Sequence, residues 1–301
     1  MKKTVIGLFA IVLFASITGC GNHASGVGGN NGSGGGGTYI GSKAPSEAKA
    51  VGDIVFNDGS ATPYNRDLTL TDAQKAAAIA VIFYRGRGLN DGDDETTVRT
   101  LGVGFKKSGV IEWCKYEGDE GLANANAWNA DITSIKCAVN GNIENHSFTG
   151  DKYGKDNLTQ IGAFLTANGA TDDTGTAAKY SAFYFAKNYK DQVIGRETGS
   201  RIISGSEYEN GWYLPSIAEL SYISCNNDCD LNYYDINQIS SLCGGDVLFG
   251  LMTDTYWSST QSEDDAQEAY ALDCIECRLH SYYKYDNPVN YDAYACAIRE
   301  F

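Results

Sequence analysis

The C-terminal segment, residues 256–301, decides the fold, and it reads YWSSTQSEDDAQEAYALDCIECRLHSYYKYDNPVNYDAYACAIREF. Strands are predicted at both ends of this segment. Residues 256–260 and 295–301 contain aromatic and β-branched residues in alternation and hold neither Gly nor Pro. Between them, residues 273–292 show neither a helical nor a strand period, so this run is predicted to be a loop. Residues 269–272 would fix the entry of the loop, and a continuous strand over 293–298 would fix its exit.

The predicted loop is unusual in its tyrosines, of which four lie within twenty residues. Tyr offers a large, rigid contact area at low entropic cost, and Ser, Asn and Asp add adaptable hydrogen bonds. One interpretation is therefore a ligand-binding surface held between two strands. The other is a long tail loop whose tyrosines fold back onto the domain.

If the loop binds a ligand, its polar and aromatic side chains should be mostly exposed and lie on one side of the molecule. The predicted ligand-binding residues are Asp265, Asp273, Ile275, Arg278, His280, Tyr282, Tyr283, Tyr285, Asp286, Asn290, Tyr291 and Asp292.

Four short motifs carry a resemblance to a known family: GWYLPSIAEL at 211–220, YWSST at 256–260, AYALD at 269–273 and CAIR at 296–299. Together they resemble bacterial C-type-lectin-like proteins of the formylglycine-generating-enzyme type. Within that group the chain is most similar to the treponemal variable proteins, which are targets of diversity-generating retroelements. The motifs cover roughly 90 residues, and the similarity extends back to Val51.

This resemblance implies an α+β fold, C-type-lectin-like and of the formylglycine-generating-enzyme type, in a single domain. It also implies a variable region at 256–301, rewritten by adenine-directed mutagenesis, that binds a protein ligand. No enzymatic activity and no cofactor are expected. Two alternatives remain: a thiol oxidase like the formylglycine-generating enzyme, and a calcium-dependent carbohydrate-binding lectin. Residues 256–258 lack the Trp-Asn-Asp type of signature that such lectins use.

The N-terminus predicts export and a lipid anchor. Lys2 and Lys3 precede an apolar run over residues 4–17, which is shorter than the roughly 20 residues that span a bilayer. The run ends in Ile-Thr-Gly before Cys20, which resembles a bacterial lipobox. Residues 1–19 are thus predicted to be a lipoprotein signal peptide, with Cys20 lipidated; a plain secretory signal is the alternative.

The predicted mature chain has two parts. Residues 20–44, rich in Gly, Asn and Ser, are predicted to be a flexible tether, and residues 45–301 the globular domain. Residue 21 is Gly rather than the Asp that retains some lipoproteins at the inner membrane. The predicted location is therefore the cell surface, as an outer membrane lipoprotein.

The charge of the chain excludes one class of partner. The formal net charge is −15, and it becomes −17 without Lys2 and Lys3. Such a surface repels phosphates, so no nucleic-acid binding is expected. Solubility explains the charge, and attraction to a basic partner is the alternative.

Eight cysteines remain if Cys20 is lipidated, and an even number in an exported chain predicts disulfides. Cys114–Cys137 is expected because both lie in the same N-terminal region. The resemblance implies Cys243–Cys296, since both lie in family-like motifs. A zinc site formed by the pairs at 225/229 and 274/277 is the alternative.

The sequence gives only weak evidence for metal-binding or catalytic residues. The oxygen-rich runs 90–95 and 226–230 could hold Ca²⁺ but lack EF-hand spacing, so solvated loops are preferred and no metal is predicted. The sequence has three histidines, at 23, 146 and 280, the first of them in the tether. A hydrolytic triad is therefore poorly supported.

The remaining pattern predicts interspersed strands and helices. Strands are expected at 51–56, 80–84, 101–105 and 110–114, and helices from 71 and over 156–167, 176–189, 216–224 and 235–242. Ser216 and Glu219 have capping-box spacing. The absence of βαβ regularity favours α+β over a doubly wound sheet.

Overall fold

The computed structural model describes residues 39–90, 94, 96–116, 128–141, 146–194, 203–223, 231–250, 254–274, 276, 278–285 and 292–301, with only the backbone at 292. The chain divides into two units, residues 1–37 and 38–301. The first unit, with the predicted signal peptide, Cys20 and most of the predicted tether, lies outside the described residues.

The larger sheet is antiparallel and has the order β11-β4-β3-β1-β2. Its strands are β1 (Asp53–Phe56), β2 (Ala61–Pro63), β3 (Ala78–Gly86), β4 (Arg99–Gly104) and β11 (Ile298–Glu300). The chain's last strand therefore closes one edge of a sheet built from its N-terminal third.

The second sheet has four strands in the order β10-β7-β8-β9. They are β7 (Asp254–Gln261), β8 (Glu268–Asp273), β9 (Arg278–Tyr283) and β10 (Asp292–Tyr294). β10 runs parallel to β7, and the other pairs are antiparallel. The strands β5 (Cys137–Asn140) and β6 (Ser147–Gly150) form a separate two-stranded antiparallel sheet.

Five α-helices are described: α1 (Asp72–Ala77), α2 (Asn157–Ala167), α3 (Ser181–Lys187), α4 (Ile217–Ser221) and α5 (Tyr233–Leu242). Single 3₁₀ turns occupy Thr133–Ile135 and Tyr189–Asp191. The predicted capping box at Ser216 and Glu219 is present, and a second one caps α1 at Thr71. The result is a mixed α+β fold, mostly sheet with few helices, that behaves as a single domain.

The exit strand predicted as continuous over 293–298 is instead divided between the two sheets. β10 ends at Tyr294 and β11 begins at Ile298. Between them, the carbonyl of Ala295 accepts from the amide of Ser108 at 3.0 Å, and that of Ala297 from Gly104 at 3.0 Å. The prediction of one alternating strand was wrong because tertiary hydrogen bonds redirect the chain, and residues 295–298 are buried on all sides.

The domain begins earlier than the predicted boundary at residue 45. The amide of Ile40 donates to Asp58 Oδ2 at 2.8 Å and that of Gly41 to Ser60 Oγ at 2.7 Å. Lys43 forms a β-bridge with Ala61. Residues 40–43 therefore lie against the domain edge and are not tether.

Two further expectations differ from the structure. Residues 110–114 form no strand; the amides of Trp113 and Cys114 instead donate to the single carbonyl of Lys284. Cys114, Cys137, Cys243, Cys274 and Cys296 are buried, and among the described residues neither expected disulfide is formed. Both pairings stay predictions.

Within the described part of the chain, no helix is long and apolar enough to cross a membrane.

Candidate functional site

The run 273–292, predicted to lack regular structure, contains strand β9. All six residues of β9 pair with β8, from Asp273↔Arg278 to Glu268↔Tyr283. The loop prediction failed because strand formation depends on pairing and packing with neighbouring strands more than on local preference, and that pairing exists only once β8 lies alongside. β9 is one of the two outer strands of the four-stranded sheet, and β10 is the other.

Three of the predicted ligand-binding residues are exposed on β9: Arg278, His280 and Tyr283. Arg278 Nη2 lies 2.7 Å from Glu276 Oε2, in a solvent-exposed ion pair. The ring of His280 lies 5.1 Å from that of Tyr282. Because side chains alternate along a strand, Tyr283 faces the opposite side of the sheet from Arg278 and His280.

Asp273 was predicted to be exposed, and the structure corrects this, since Asp273 is only 1% exposed. It ends β8 and holds the following turn. Asp273 Oδ1 accepts from the amide of Glu276 at 3.2 Å, and Asp273 Oδ2 accepts from the hydroxyl of Tyr282 at 3.3 Å. Its role in the structure is therefore to position β9.

Tyr282 and Tyr285 are half-buried rather than mostly exposed. The ring of Tyr282 packs edge-on against the buried Trp257 at 6.4 Å. The ring centroids of Tyr285 and Tyr283 are 5.8 Å apart. The ring of Tyr285 also contacts those of Tyr116 and Trp128, which are far away in the sequence. The tyrosines thus divide between anchoring and exposure: Tyr282 and Tyr285 pack against the domain, whereas Tyr283 is exposed. Ligand binding by this segment stays a prediction.

We call the cluster of Tyr116, Trp128, Tyr283 and Tyr285 the aromatic platform. Ring centroids are 4.8 Å apart for Tyr116–Trp128, 4.9 Å for Tyr116–Tyr285 and 5.6 Å for Trp128–Tyr285. Tyr116 is 44% and Tyr283 42% exposed. Sequence reasoning missed Tyr116 and Trp128, because no local pattern links them to a segment more than 150 residues away.

Lys284 lies beneath this surface and is fully buried. Its Nζ donates to Gln261 Oε1 at 2.8 Å and to the carbonyl of Ala266 at 2.7 Å, and it lies 4.9 Å from the ring of Trp113. Burial lowers the pKa of the Lys284 amine to about 7. Lys284 thereby connects β7, the turn before β8 and the strand end of β9.

The turn between β7 and β8 carries three carboxylates, and β8 begins with a fourth. We call these four residues the acidic turn: Glu263, Asp264, Asp265 and Glu268. Asp265, a predicted ligand-binding residue, is half-buried, and its Oδ1 accepts from the amide of Gln267 at 2.8 Å. Glu268 Oε2 accepts from Ser281 Oγ on β9 at 2.5 Å. Glu263 and Asp264 are exposed.

The predicted residues with described side chains lie on β8, β9 and the turns beside them, at one edge of the four-stranded sheet. The expectation that they are mostly exposed and on one side was wrong, because three of the seven are exposed and these three divide between the two faces of the sheet. Ile275, Asp286, Asn290 and Tyr291 lie outside the described residues. For Asp292 only the backbone is described, and it pairs with Asp254 in β10.

The described cysteines are poor candidates for thiol chemistry. Burial raises the pKa of both Cys137 and Cys296 to about 12, and it raises the pKa of Cys274 as well. A reactive cysteine needs the opposite, because the thiolate is the nucleophile. Cys225, Cys229 and Cys277 lie outside the described residues.

No group of three or more His, Cys, Asp or Glu side chains placed to hold a metal ion occurs among the described residues. Of the first oxygen-rich run, Asn90 and Asp94 are described. Asn90 Nδ2 donates to the carbonyls of Asp94 and Thr97, and Asp94 Oδ1 accepts from Thr96 Oγ1 at 2.7 Å. These polar groups form hydrogen bonds within the loop. The second run, 226–230, lies outside the described residues.

Comparisons with known proteins are consistent with the α+β class. No family model matches the sequence, and no curated protein matches it. The structure is similar to that of a fimbrial protein from Bacteroides ovatus, with a TM-score of 0.51 and 12% sequence identity. The match covers 84% of this chain and 49% of the fimbrial protein, so the chain spans about half the length of that neighbour. At this identity the likeness concerns the fold alone.

Proposed function

We propose that this chain is a surface-displayed lipoprotein that binds a protein ligand through residues 265–292 of a C-type-lectin-like domain. The observation that carries the proposal is the arrangement of β9. Its backbone is held in register by β8 along its whole length, while Arg278, His280 and Tyr283 are exposed.

This arrangement has the property that a variable binding site needs. Changes at exposed positions alter the free energy of unfolding by only about 0.5 kcal/mol, because they leave the packed core untouched. The hydrogen-bonded ladder is formed by backbone groups, so side chains other than Pro can be exchanged without removing a donor or acceptor. β9 can therefore change its contact residues without losing its position, as a retroelement-diversified segment would require.

A library experiment tests this proposal without knowledge of the natural ligand. Arg278, His280 and Tyr283 would be randomised together in the full-length chain, and variants selected for binding to a target protein of near-zero net charge. We expect binders whose thermal midpoints stay within about 5 °C of the parent.

The matched control randomises Ala269 and Ala271 on the neighbouring strand β8, which are both fully buried. Most of those variants should fail to fold, because a larger side chain overpacks the core. General unfolding of the β9 library would contradict the proposal, as would a well-folded β9 library without binders.

Surface display is proposed from two features. The N-terminal segment has the lipobox-like sequence before Cys20. The structural neighbour is a fimbrial protein, which supports an exposed location. Mass spectrometry of the native protein should find an N-terminus at Cys20 that carries lipid. An unmodified N-terminus elsewhere would eliminate the anchor.

A further inference from the structure

We propose that the aromatic platform and the acidic turn form one surface that binds a cationic protein segment through Arg or Lys side chains. This inference rests on the proposed function, because it assigns a partner chemistry to the same site. It also extends the site beyond the predicted variable region, to Tyr116 and Trp128.

The platform and the turn are joined by β-sheet hydrogen bonds. Glu268 lies directly opposite Tyr283 in the β8–β9 register. The next pair continues the ladder, since the amide of Lys284 donates to the carbonyl of Gln267 at 2.9 Å. The buried amine of Lys284 also reaches the carbonyl of Ala266. Carboxylates and rings are therefore neighbours on one surface.

The surface carries an excess of negative charge. Asp131, whose side chain is 57% exposed, adds a fifth carboxylate beside the acidic turn. Lys136 lies between them, 2.6 Å from Asp131 and bonded to the carbonyl of Glu263. Lys115, beside Tyr116, is an exposed cation. Counted over these described residues, five carboxylates, two lysines and the buried Lys284 leave an excess of at least two negative charges.

The rings add a second attraction for cations. A guanidinium or ammonium group is attracted to the face of an aromatic ring, and Arg stacks well on Tyr. Because the rings of the platform contact one another, a cation would lie over the exposed rings of Tyr116 and Tyr283 and not in a cage between them. Carboxylates within reach would complete the contact by charge-assisted hydrogen bonds.

The spread of these groups indicates a polypeptide. Tyr116, Tyr283 and the acidic turn each offer a separate place for a cation. One small cation can occupy only one of them, whereas a segment with several Arg or Lys residues can occupy all three. Such a segment also fits beside an outer strand such as β9.

The probe is a fluorescent octapeptide of alternating Arg and Ser, titrated by anisotropy into the full-length chain at low salt. Replacing Glu263→Gln and Asp264→Asn together should weaken binding about five-fold. The charge-matched control, Asp67→Asn with Asp72→Asn, removes two exposed carboxylates elsewhere and should leave the affinity unchanged.

Replacing Tyr116→Ser and Tyr283→Ser should also weaken binding about five-fold, through loss of two ring faces. Tyr234→Ser is the single-ring control, because Tyr234 is 50% exposed on α5 and belongs to neither the aromatic platform nor the acidic turn. Thermal unfolding of each variant confirms that it is folded before the affinities are compared.

Equal losses of peptide affinity in the acidic-turn variant and in its charge-matched control would overturn the inference, since the peptide would then respond only to net charge. Failure of the peptide to bind, or equal binding of a Glu-Ser peptide, would overturn it too. The library selection uses a target without excess positive charge. Its success alongside a failed peptide experiment would leave the proposed function standing and remove only the cationic partner.

Discussion

At the residue scale, two adjacent tyrosines have opposite roles because successive strand residues face opposite sides of a sheet. Tyr282 packs against Trp257 and donates to Asp273, whereas Tyr283 is 42% exposed. Composition alone cannot tell the two tyrosines apart, since both were predicted to be exposed ligand-binding residues. Their difference separates the residue that holds β9 in place from the residue that β9 exposes to solvent.

We predict that Tyr282→Ala lowers the free energy of unfolding by about 2 kcal/mol, through lost packing and a lost hydrogen bond. Tyr283→Ala should change it by less than about 0.5 kcal/mol. Urea denaturation of both variants measures the difference. Similar losses for both would show that Tyr283 belongs to the core.

Lys284 gives a pH prediction. Its pKa is about 7 in the folded chain, against an ordinary value of 10.5 when unfolded. Between these values the unfolded state binds more protons, so Lys284 makes the folded state more stable as pH rises from about 7 towards 10. The free energy of unfolding of the wild type should therefore rise relative to Lys284→Met across this range.

Urea denaturation at pH 6, 7.5 and 9 tests this, with Lys187→Met as an exposed control that should follow the wild type. Parallel curves for wild type and Lys284→Met would contradict the prediction. They would mean that the buried amine is charged at every pH.

At the element scale, α2 is connected to β7 through a polar chain. Asn157 Nδ2, at the start of α2, donates to Asp151 Oδ2 at 2.7 Å and to Ser259 Oγ at 2.9 Å on β7. Asp151 Oδ1 accepts from the amide of Tyr153 at 3.0 Å. Burial raises the pKa of Asp151 to about 7.

The contribution of Asp151 to the free energy of unfolding changes with pH in the opposite direction to that of Lys284. Between its ordinary value of 3.8 and about 7 the folded state binds more protons, so its contribution to stability falls as pH rises through this range. Asp151→Asn should remove that dependence. Thermal midpoints at pH 4.5, 6 and 7.5 measure it, with Asp67→Asn as the exposed control. A wild type and Asp151→Asn with the same pH dependence would contradict the prediction.

At the scale of the whole molecule, Arg99 joins distant parts of the chain. Its guanidinium lies 2.8 Å from Glu219 of α4 and 2.6 Å from Glu300 of β11, and it donates to the hydroxyl of Tyr213 at 2.7 Å. Arg99 and Glu219 are both buried. The GWYLPS motif and the C-terminal strand are thereby fixed to β4.

We predict that Arg99→Met destabilises the fold by about 3–5 kcal/mol, because it leaves the buried carboxylate of Glu219 without its cation. Glu219→Gln in addition should recover part of the loss, since the uncompensated charge is removed. A double-mutant cycle in urea measures the coupling. Simple additivity of the two single losses would contradict a coupled network.

Much of the local structure could be predicted from the sequence, and the site only in part. Both α2 and the cap at Ser216 follow from side-chain spacing and capping chemistry, which act within a few residues. The segment that contains β9 was singled out by its tyrosines, and its role in ligand binding stays a prediction. The burial of Asp273 and the place of Tyr116 in the aromatic platform were not predictable, because each depends on a partner distant along the chain.

The sequence by itself determined that strands lie at both ends of the C-terminal segment, that its tyrosines are concentrated at one place, and that the chain is strongly acidic. These properties belong to composition and short-range spacing. Only the tertiary structure decided that β9 pairs with β8, that the last residues divide between two sheets, and that Tyr116 and Trp128 complete the platform. The physical reason is that strand pairing and side-chain burial depend on contacts between segments far apart in sequence, which no local pattern encodes.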